Sequence, residues 1–202
     1  MGAPNVFNIL KSGAVVWHAP FGEAFPDPAV IDAGDAWGGN WERIGATKEP
    51  VALKYTTDEH SSEVEEFLGP VRRFRIKEEL ALETVMAELT AEYLGLAVGS
   101  APFLAGSGVP YDELVVGNDP CLDEEAWGFE GILCDATCVE TPVRFFIPRG
   151  TAKLNGDLKF SRRDDDYTGV PLQVNALADV GDMTDPGRMF VFQRVPAIGS
   201  GS

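Results

Sequence analysis

Apolar residues in the second half of the chain recur in short runs that are separated by Gly, Pro or Asp. The runs have strand length and are DELVVG, FEGILCDATCVE, VRFFIPRG, TAKLNGDLKFS, GVPLQVNALAD and RMFVFQRVP. Short strands with turn residues between them are typical of antiparallel connections. The pattern predicts a mainly β fold, either a two-sheet sandwich or a rolled barrel.

One segment, LALETVMAELTAEYLGL, has the periodicity of a helix. Its apolar positions follow the spacing of three and four residues that one helix face requires, at Leu82, Val85, Met86, Leu89, Tyr93 and Leu96. Gly95 is placed to end the helix. We therefore expect one flanking α-helix that packs on the core.

The segment from Val51 to Glu79 predicts a long hairpin. A strand, VALKYTT, leads into an acidic stretch, a Gly69-Pro70 turn and a second strand, VRRFRIKEE. In a regular strand Arg73, Arg75 and Lys77 would share one face. The mixture of charges suits either a solvated hairpin or an arm that contacts another copy of the chain.

Residues 1–36 are rich in Pro and Gly, which predicts an N-terminal arm or loop. Val15–His18 and Trp41–Ile44 are short strand candidates. We expect a single domain over residues 1–202, with residues 196–202 as a flexible tail. The tryptophans have two possible roles. They either anchor a loop to the core or form a stacking platform for a sugar or base. The tryptophans concerned are Trp17, Trp37 and Trp41.

The net negative charge of the chain argues against nucleic acid as a tightly bound partner. The chain has 32 Asp or Glu residues against 16 Lys or Arg residues, a net charge of −16. Residues 78–143 contain 14 Asp or Glu residues and no Lys or Arg. Such a surface repels the phosphate backbone of nucleic acid. Either these carboxylates only keep the protein soluble, or they line a passage through which DNA slides.

The residues do not assemble a convincing catalytic, cofactor or metal site. Asp58, His60 and Ser61 are close in sequence, but neighbours on an extended strand point in different directions. The run at 164–166 favours a solvated turn, with a loosely held Ca²⁺ as the alternative. Three cysteines do not form a disulfide framework and favour a reducing compartment. The first residues lack the pattern of a signal peptide, and no apolar run has the length of a membrane span.

Several pieces occur in an order that resembles the major tail tube proteins of long-tailed bacteriophages. They are WERIG at 41–45, the acidic arm, PVRRFRIKEE, LETVMAELTAEYLGL and GDLKFSRRDDDYTGVPLQVNALAD. The resemblance runs from about residue 36 to 195. It implies a non-enzymatic structural subunit with a β-sandwich or barrel and one helix, assembled as hexameric rings that stack into the tail tube of the virion.

The resemblance also implies partners. They are other copies of the chain, the tape measure protein, the tail terminator and tail tip proteins, and DNA that passes without specific binding. It implies no cofactor and no membrane, and assembly in the host cytoplasm. The segment 58–68 matches the hairpin loop that reaches a neighbouring subunit. The expected interface residues are Asp58, Glu59, Glu63, Glu65, Glu66, Arg73, Arg75 and Lys77.

The acidic span supplies the candidate residues of the tube lumen. These are Asp112, Glu113, Asp119, Asp123, Glu124 and Glu125. Together with Glu130, Asp135 and Glu140 they form a set of nine carboxylates, of which we expect several to face the central hole. A carbohydrate-binding β-sandwich that uses the tryptophans is the alternative function. A third possible function is a hydrolase that uses Glu65 and Glu66, but the sequence places no partner residue for catalysis beside those carboxylates.

Overall fold

The computed structural model describes residues 14–27, 30–31, 34–62, 71–99, 103–104, 113–117, 120–134, 140–158, 169–181 and 187–194. Ten β-strands and one α-helix lie within them. The strands are β1 (Val15–Pro20), β2 (Glu42–Arg43), β3 (Ala52–Ser62), β4 (Arg72–Met86), β5 (Phe103–Leu104), β6 (Glu113–Leu114), β7 (Glu124–Cys134), β8 (Glu140–Leu154), β9 (Val170–Ala176) and β10 (Val191–Arg194), and the helix is α1 (Ala91–Val98).

Eight strands form one antiparallel sheet in the order β2-β1-β7-β8-β9-β4-β3, with β10 paired to β8. The run VRFFIPRG and the first four residues of TAKLNGDLKFS follow each other directly in the sequence and are predicted as separate strands, but both lie in the one long strand β8. This strand changes partner along its length, because 143–146 pair with β10 and 150–154 pair with β9. Pro148 lies between the two pairings, where the ladder with β7 shifts register. The prediction of a mainly β sandwich-like fold with one helix is confirmed.

The larger core lies on the face of the sheet that α1 covers. Alternate residues of the strands point into it, as period-two strands require. On β9 these are Val170, Leu172, Val174 and Ala176, and on β4 they are Leu80, Leu82, Thr84 and Met86. Trp127 and Ile147 complete the centre and are 0% and 1% exposed. This core fixes the part of β4 that faces β9.

A second, aromatic core lies on the opposite face, under the described parts of residues 21–41, here called the aromatic loop. Trp17 stacks on Trp37 with ring centroids 5.1 Å apart, and Trp41 meets the edge of Trp37 at 5.1 Å. The ring of Trp37 lies on Gly128, where a Cβ would overlap it. All three tryptophans are buried. They anchor the loop, and their rings offer no exposed stacking platform for a sugar.

A buried ion pair connects the aromatic loop to the sheet. Arg144 on β8 donates to Glu130 on β7, and both side chains are almost completely buried. Glu130 also accepts a 2.7 Å hydrogen bond from the backbone of Gly34, and Arg144 donates to the carbonyl of Ile31 at 2.9 Å. The expectation that Glu130 faces a central hole is therefore wrong. Its carboxylate lies inside the subunit, where Arg144 compensates its charge.

The predicted helix is shorter than the sequence pattern indicates. Leu82, Val85 and Met86 lie in β4, which has β3 on one side and β9 on the other. The alternation of buried residues along 80–86 outweighs the helical spacing, because both neighbouring strands supply hydrogen bonds to this segment. The helix begins after Thr90, whose side chain accepts a hydrogen bond from the backbone of Tyr93 at 3.0 Å.

The helix also ends later than predicted. It continues through the buried Gly95, and Gly99 caps it in the left-handed conformation with φ of 79°. Addition of a Cβ at Gly99 would also collide with the carbonyl oxygen of Ala152 on β8. Gly99 therefore serves both the cap and the close approach of α1 to the sheet.

Candidate subunit interface

The predicted hairpin is the pair β3 and β4, and half of it extends beyond the body of the subunit. The pairing of β4 with β9 covers Ala81–Met86, whereas the pairing of β4 with β3 covers Arg72–Glu83. Residues 72–79 are exposed, and so are nearly all residues of β3. We call residues 57–62 with 72–79 the ribbon. In the part of the chain that is described, the ribbon has two strands and no third strand beside them.

The ribbon brings oppositely charged residues together within one chain. Arg73 lies 3.8 Å from Glu59, a residue of the opposite strand. Arg75 pairs with Glu78, and Lys77 pairs with Glu79. Of the acidic residues expected to meet a neighbouring subunit, Glu59 thus has a basic neighbour in its own subunit. Arg75 and Lys77 pair with Glu78 and Glu79 of their own strand before any second copy is present.

These ion pairs favour the charged forms of their members. The hydrogen bond from Arg75 lowers the pKa of Glu78 and raises that of Arg75. A hydrogen bond to Glu79 raises the pKa of Lys77. All of these groups are exposed, so each pair adds little to folding stability. The ribbon is held by its backbone ladder more than by its charges.

A β-bulge corrects one detail of the predicted strand. Asp58 lies opposite Lys77 and Glu59 lies opposite Arg75, so Ile76 has no opposite residue. Since Asp58 and Glu59 are neighbours on β3, they point to opposite faces. Lys77 therefore does not share the face of Arg73 and Arg75, as a regular strand would require.

The structure describes only some of the predicted interface residues. Asp58, Glu59, Arg73, Arg75 and Lys77 all lie on the ribbon. The other three, Glu63, Glu65 and Glu66, lie outside the described residues, as does most of the predicted loop. The structure gives no contact with a second copy, and the interface itself stays a prediction.

Only some of the residues predicted to line the lumen lie close together in the fold. Asp123, Glu124 and Glu125 lie at the start of β7, whereas Glu113 is exposed on the separate two-stranded sheet of β5 and β6. Glu124 and Glu125 are adjacent on the strand, so they point to opposite faces. Asp112, Asp119 and Asp135 lie outside the described residues, and Glu140 begins β8.

The partners of the β7 carboxylates differ. Arg149 holds Glu124 with two hydrogen bonds of 2.7 Å, which lower the pKa of that carboxyl and raise the pKa of the guanidinium. Glu125 lies 3.7 Å from the ring of His18. Glu124 thus contributes little net negative charge to a nearby surface.

A cavity of about 140 Å³ lies between α1 and the sheet. Its polar lining includes His18, Glu92, Asp123 and Glu125. Nevertheless, no group of three His, Cys, Asp or Glu residues within the described ranges could hold a metal ion. Among the same residues, no helix is both long enough and apolar enough to cross a membrane.

Comparison with known proteins decides the family. The sequence profile described as "Phage tail tube protein" matches residues 4–186. The chain belongs to the phage tail tube protein family. No curated protein matches the chain. Membership makes this tail tube protein a structural component of the phage virion, and it confirms the resemblance that the order of motifs indicates.

Sequence reasoning missed two features of this tail tube protein. The first is the buried ion pair of Glu130 and Arg144. The two residues lie on different strands, and only the register of those strands shows that they meet. A signal does exist, because Arg144 is the first basic residue after the acidic span and lies in an apolar run. The second is the bulge at Ile76, for which we find no sequence signal.

Proposed function

We propose that the chain is the repeating subunit of a phage tail tube, in which hexameric rings stack around a passage for DNA. The match to the tail tube family over residues 4–186 carries the proposal. The subunit assembles with copies of itself around the tape measure protein in the host cytoplasm, and the tail terminator and tail tip proteins close the ends. No specific binding of DNA is part of this function.

The ribbon is the proposed contact between subunits. An isolated two-stranded ribbon is at best marginally stable in water, and three strands or a packed face are usually needed. A ribbon that extends from the body with both faces exposed therefore gains stability when a second subunit covers it. The contact is heterologous, since a ribbon that meets a different surface of the next copy can close a ring.

The acidic residues of the span 78–143 are the proposed lining of the passage. Asp123 and Glu113 are exposed and supply negative charge. Asp112 and Asp119 belong to the proposed lining by their position in the same acidic span. Like charge on the wall repels the DNA backbone and prevents the counterion release that drives adhesion. DNA then moves through the tube without binding to it.

Electron microscopy of the purified protein tests the proposal. We expect negatively stained rings or short tubes with a central hole, and sedimentation that shifts to large species as protein concentration rises. A monodisperse monomer at every concentration and salt tested would contradict the function. Arg73→Glu with Arg75→Glu is the matched variant, because it places like charge beside Glu59 and Glu78 and against the acidic residues of a neighbouring copy, and it should weaken assembly.

A further inference from the structure

The ribbon presents apolar side chains whose exposure the subunit itself does not explain. Ile76 is 67% exposed and Phe74 is 43% exposed, although both lie within a strand. Scattered apolar residues are normal on a surface. These two are separated by one residue on a ribbon whose residues 72–79 are all exposed, and the nearby Val71 is 56% exposed.

The bulge sets Ile76 apart from the rest of the ladder. Arg75 and Lys77 each have an opposite residue on β3, and Ile76 between them has none. Bulges change the direction of a side chain and increase the local twist, and they are common at edges and functional sites. Here the bulge lies at an isoleucine five residues before Ala81, the first residue of β4 that pairs with β9.

Phe74 is held in place before any partner binds. The guanidinium of Arg72 lies over its ring, 4.8 Å from the centroid. A side chain that is already ordered loses less conformational entropy on association. The ring is therefore prepared for contact while 43% of its surface stays open.

The charged side chains of the ribbon are expected to contribute little to the free energy of association. Arg75 and Lys77 already have carboxylate partners in their own chain. To bind a carboxylate of a neighbouring copy, each side chain would have to give up the carboxylate it already binds. Burial of the pairs would also cost desolvation free energy. The exposed apolar surface of Ile76 and Phe74 has no ion pair to exchange, and its burial is favourable.

We propose that Ile76 and Phe74 are the anchor through which the ribbon binds a second copy of this chain, while the ion pairs keep the ribbon ordered and soluble. This rests on the proposed function, in which copies of the chain are the partner. Anchors of this kind usually carry most of the binding energy of an interface, and the surrounding contacts contribute little.

The test compares assembly of three variants with that of the wild type. Ile76→Asp and Phe74→Asp should each need at least about tenfold higher protein concentration to form rings or tubes, as loss of an anchor implies. Val180→Asp is the matched control, since Val180 is also 67% exposed and lies outside the ribbon. It should assemble as the wild type does. Circular dichroism and thermal melts should be unchanged in all three, because neither core contains these residues.

The outcomes separate the anchor from the function. Assembly of Ile76→Asp and Phe74→Asp at the wild-type concentration would overturn the anchor and leave the tube subunit standing. An equal loss in Val180→Asp would also overturn it, because the effect would then not be specific to the ribbon. A wild-type protein that never assembles would overturn both proposals.

Discussion

The carboxylate of Glu130 and the guanidinium of Arg144 occupy the boundary between the sheet and the aromatic loop. Truncation of one partner leaves the other charge buried without compensation, which typically costs about 3–5 kcal/mol. We therefore expect Glu130→Ala to lower the free energy of unfolding by an amount in that range, measured by urea denaturation. Tryptophan fluorescence should change as well, since Trp37 lies 5.7 Å from the guanidinium.

A double replacement serves as the control for that experiment. Glu130→Leu with Arg144→Met removes both charges and keeps apolar volume, so its stability should be much closer to that of the wild type. Equal destabilisation of the single and the double variant would show that packing, and not the uncompensated charge, is the cause.

The pair of Glu124 and Arg149 gives a dependence on pH. Its hydrogen bonds lower the pKa of Glu124 in the folded state below the ordinary value of 4.5. The stabilisation is therefore fully present above pH 4.5 and is lost as the pH falls through the lower, folded-state pKa. Glu124→Gln should melt below the wild type at neutral pH, and the two curves should converge in acid. A difference in melting temperature that persists unchanged in acid would contradict the role of the carboxylate.

At the scale of elements, the ribbon should be separable from the fold. Thr57 and Glu78 are opposite each other on the two strands. Replacement of residues 58–77 by an Asn-Gly turn therefore shortens the hairpin without disturbing the pairing of β4 with β9. The shortened chain should keep the circular dichroism of the wild type and remain monomeric. Loss of the folded spectrum would place the ribbon within the cooperative core.

The elements also show what sequence reasoning can reach. Strands such as β9 were predictable, because its buried and half-buried residues alternate and it faces a single large core. The segment 80–86 was not, since a short apolar run fits both a helix and a strand, and only the neighbours β3 and β9 decide between them. The true limits of α1 were present in the sequence, in Thr90 before it and Gly99 after it.

The candidate interface was predictable as a hairpin but not in its chemistry. Opposite charges at positions 58–59 and 73–77 indicate an attraction, and the sequence alone does not say whether the partner lies in the same chain. The register places Glu59 opposite Arg75 and Asp58 opposite Lys77, so residues of opposite charge are neighbours within one chain, and the contact with a second copy stays a prediction. The bulge that leaves Ile76 unpaired depends on the same register.

At the scale of the whole molecule, a net charge of −16 should prevent adhesion to DNA. We expect no measurable binding of double-stranded DNA by the assembled protein, even at low salt, where electrostatic attraction is least screened. Fluorescence anisotropy of a labelled duplex measures this directly. Binding at micromolar concentration that weakens with added salt would contradict a passage lined by carboxylates.

Copies of this subunit are proposed to associate through the ribbon into a tube, and a cryo-electron microscopy reconstruction of the assembled wild-type protein shows whether they do. We expect stacked rings in which Phe74 and Ile76 of each subunit are buried against the next subunit and acidic side chains line the hole. A tube in which the ribbon remains exposed to solvent, or a hole lined mainly by Arg and Lys, would contradict it.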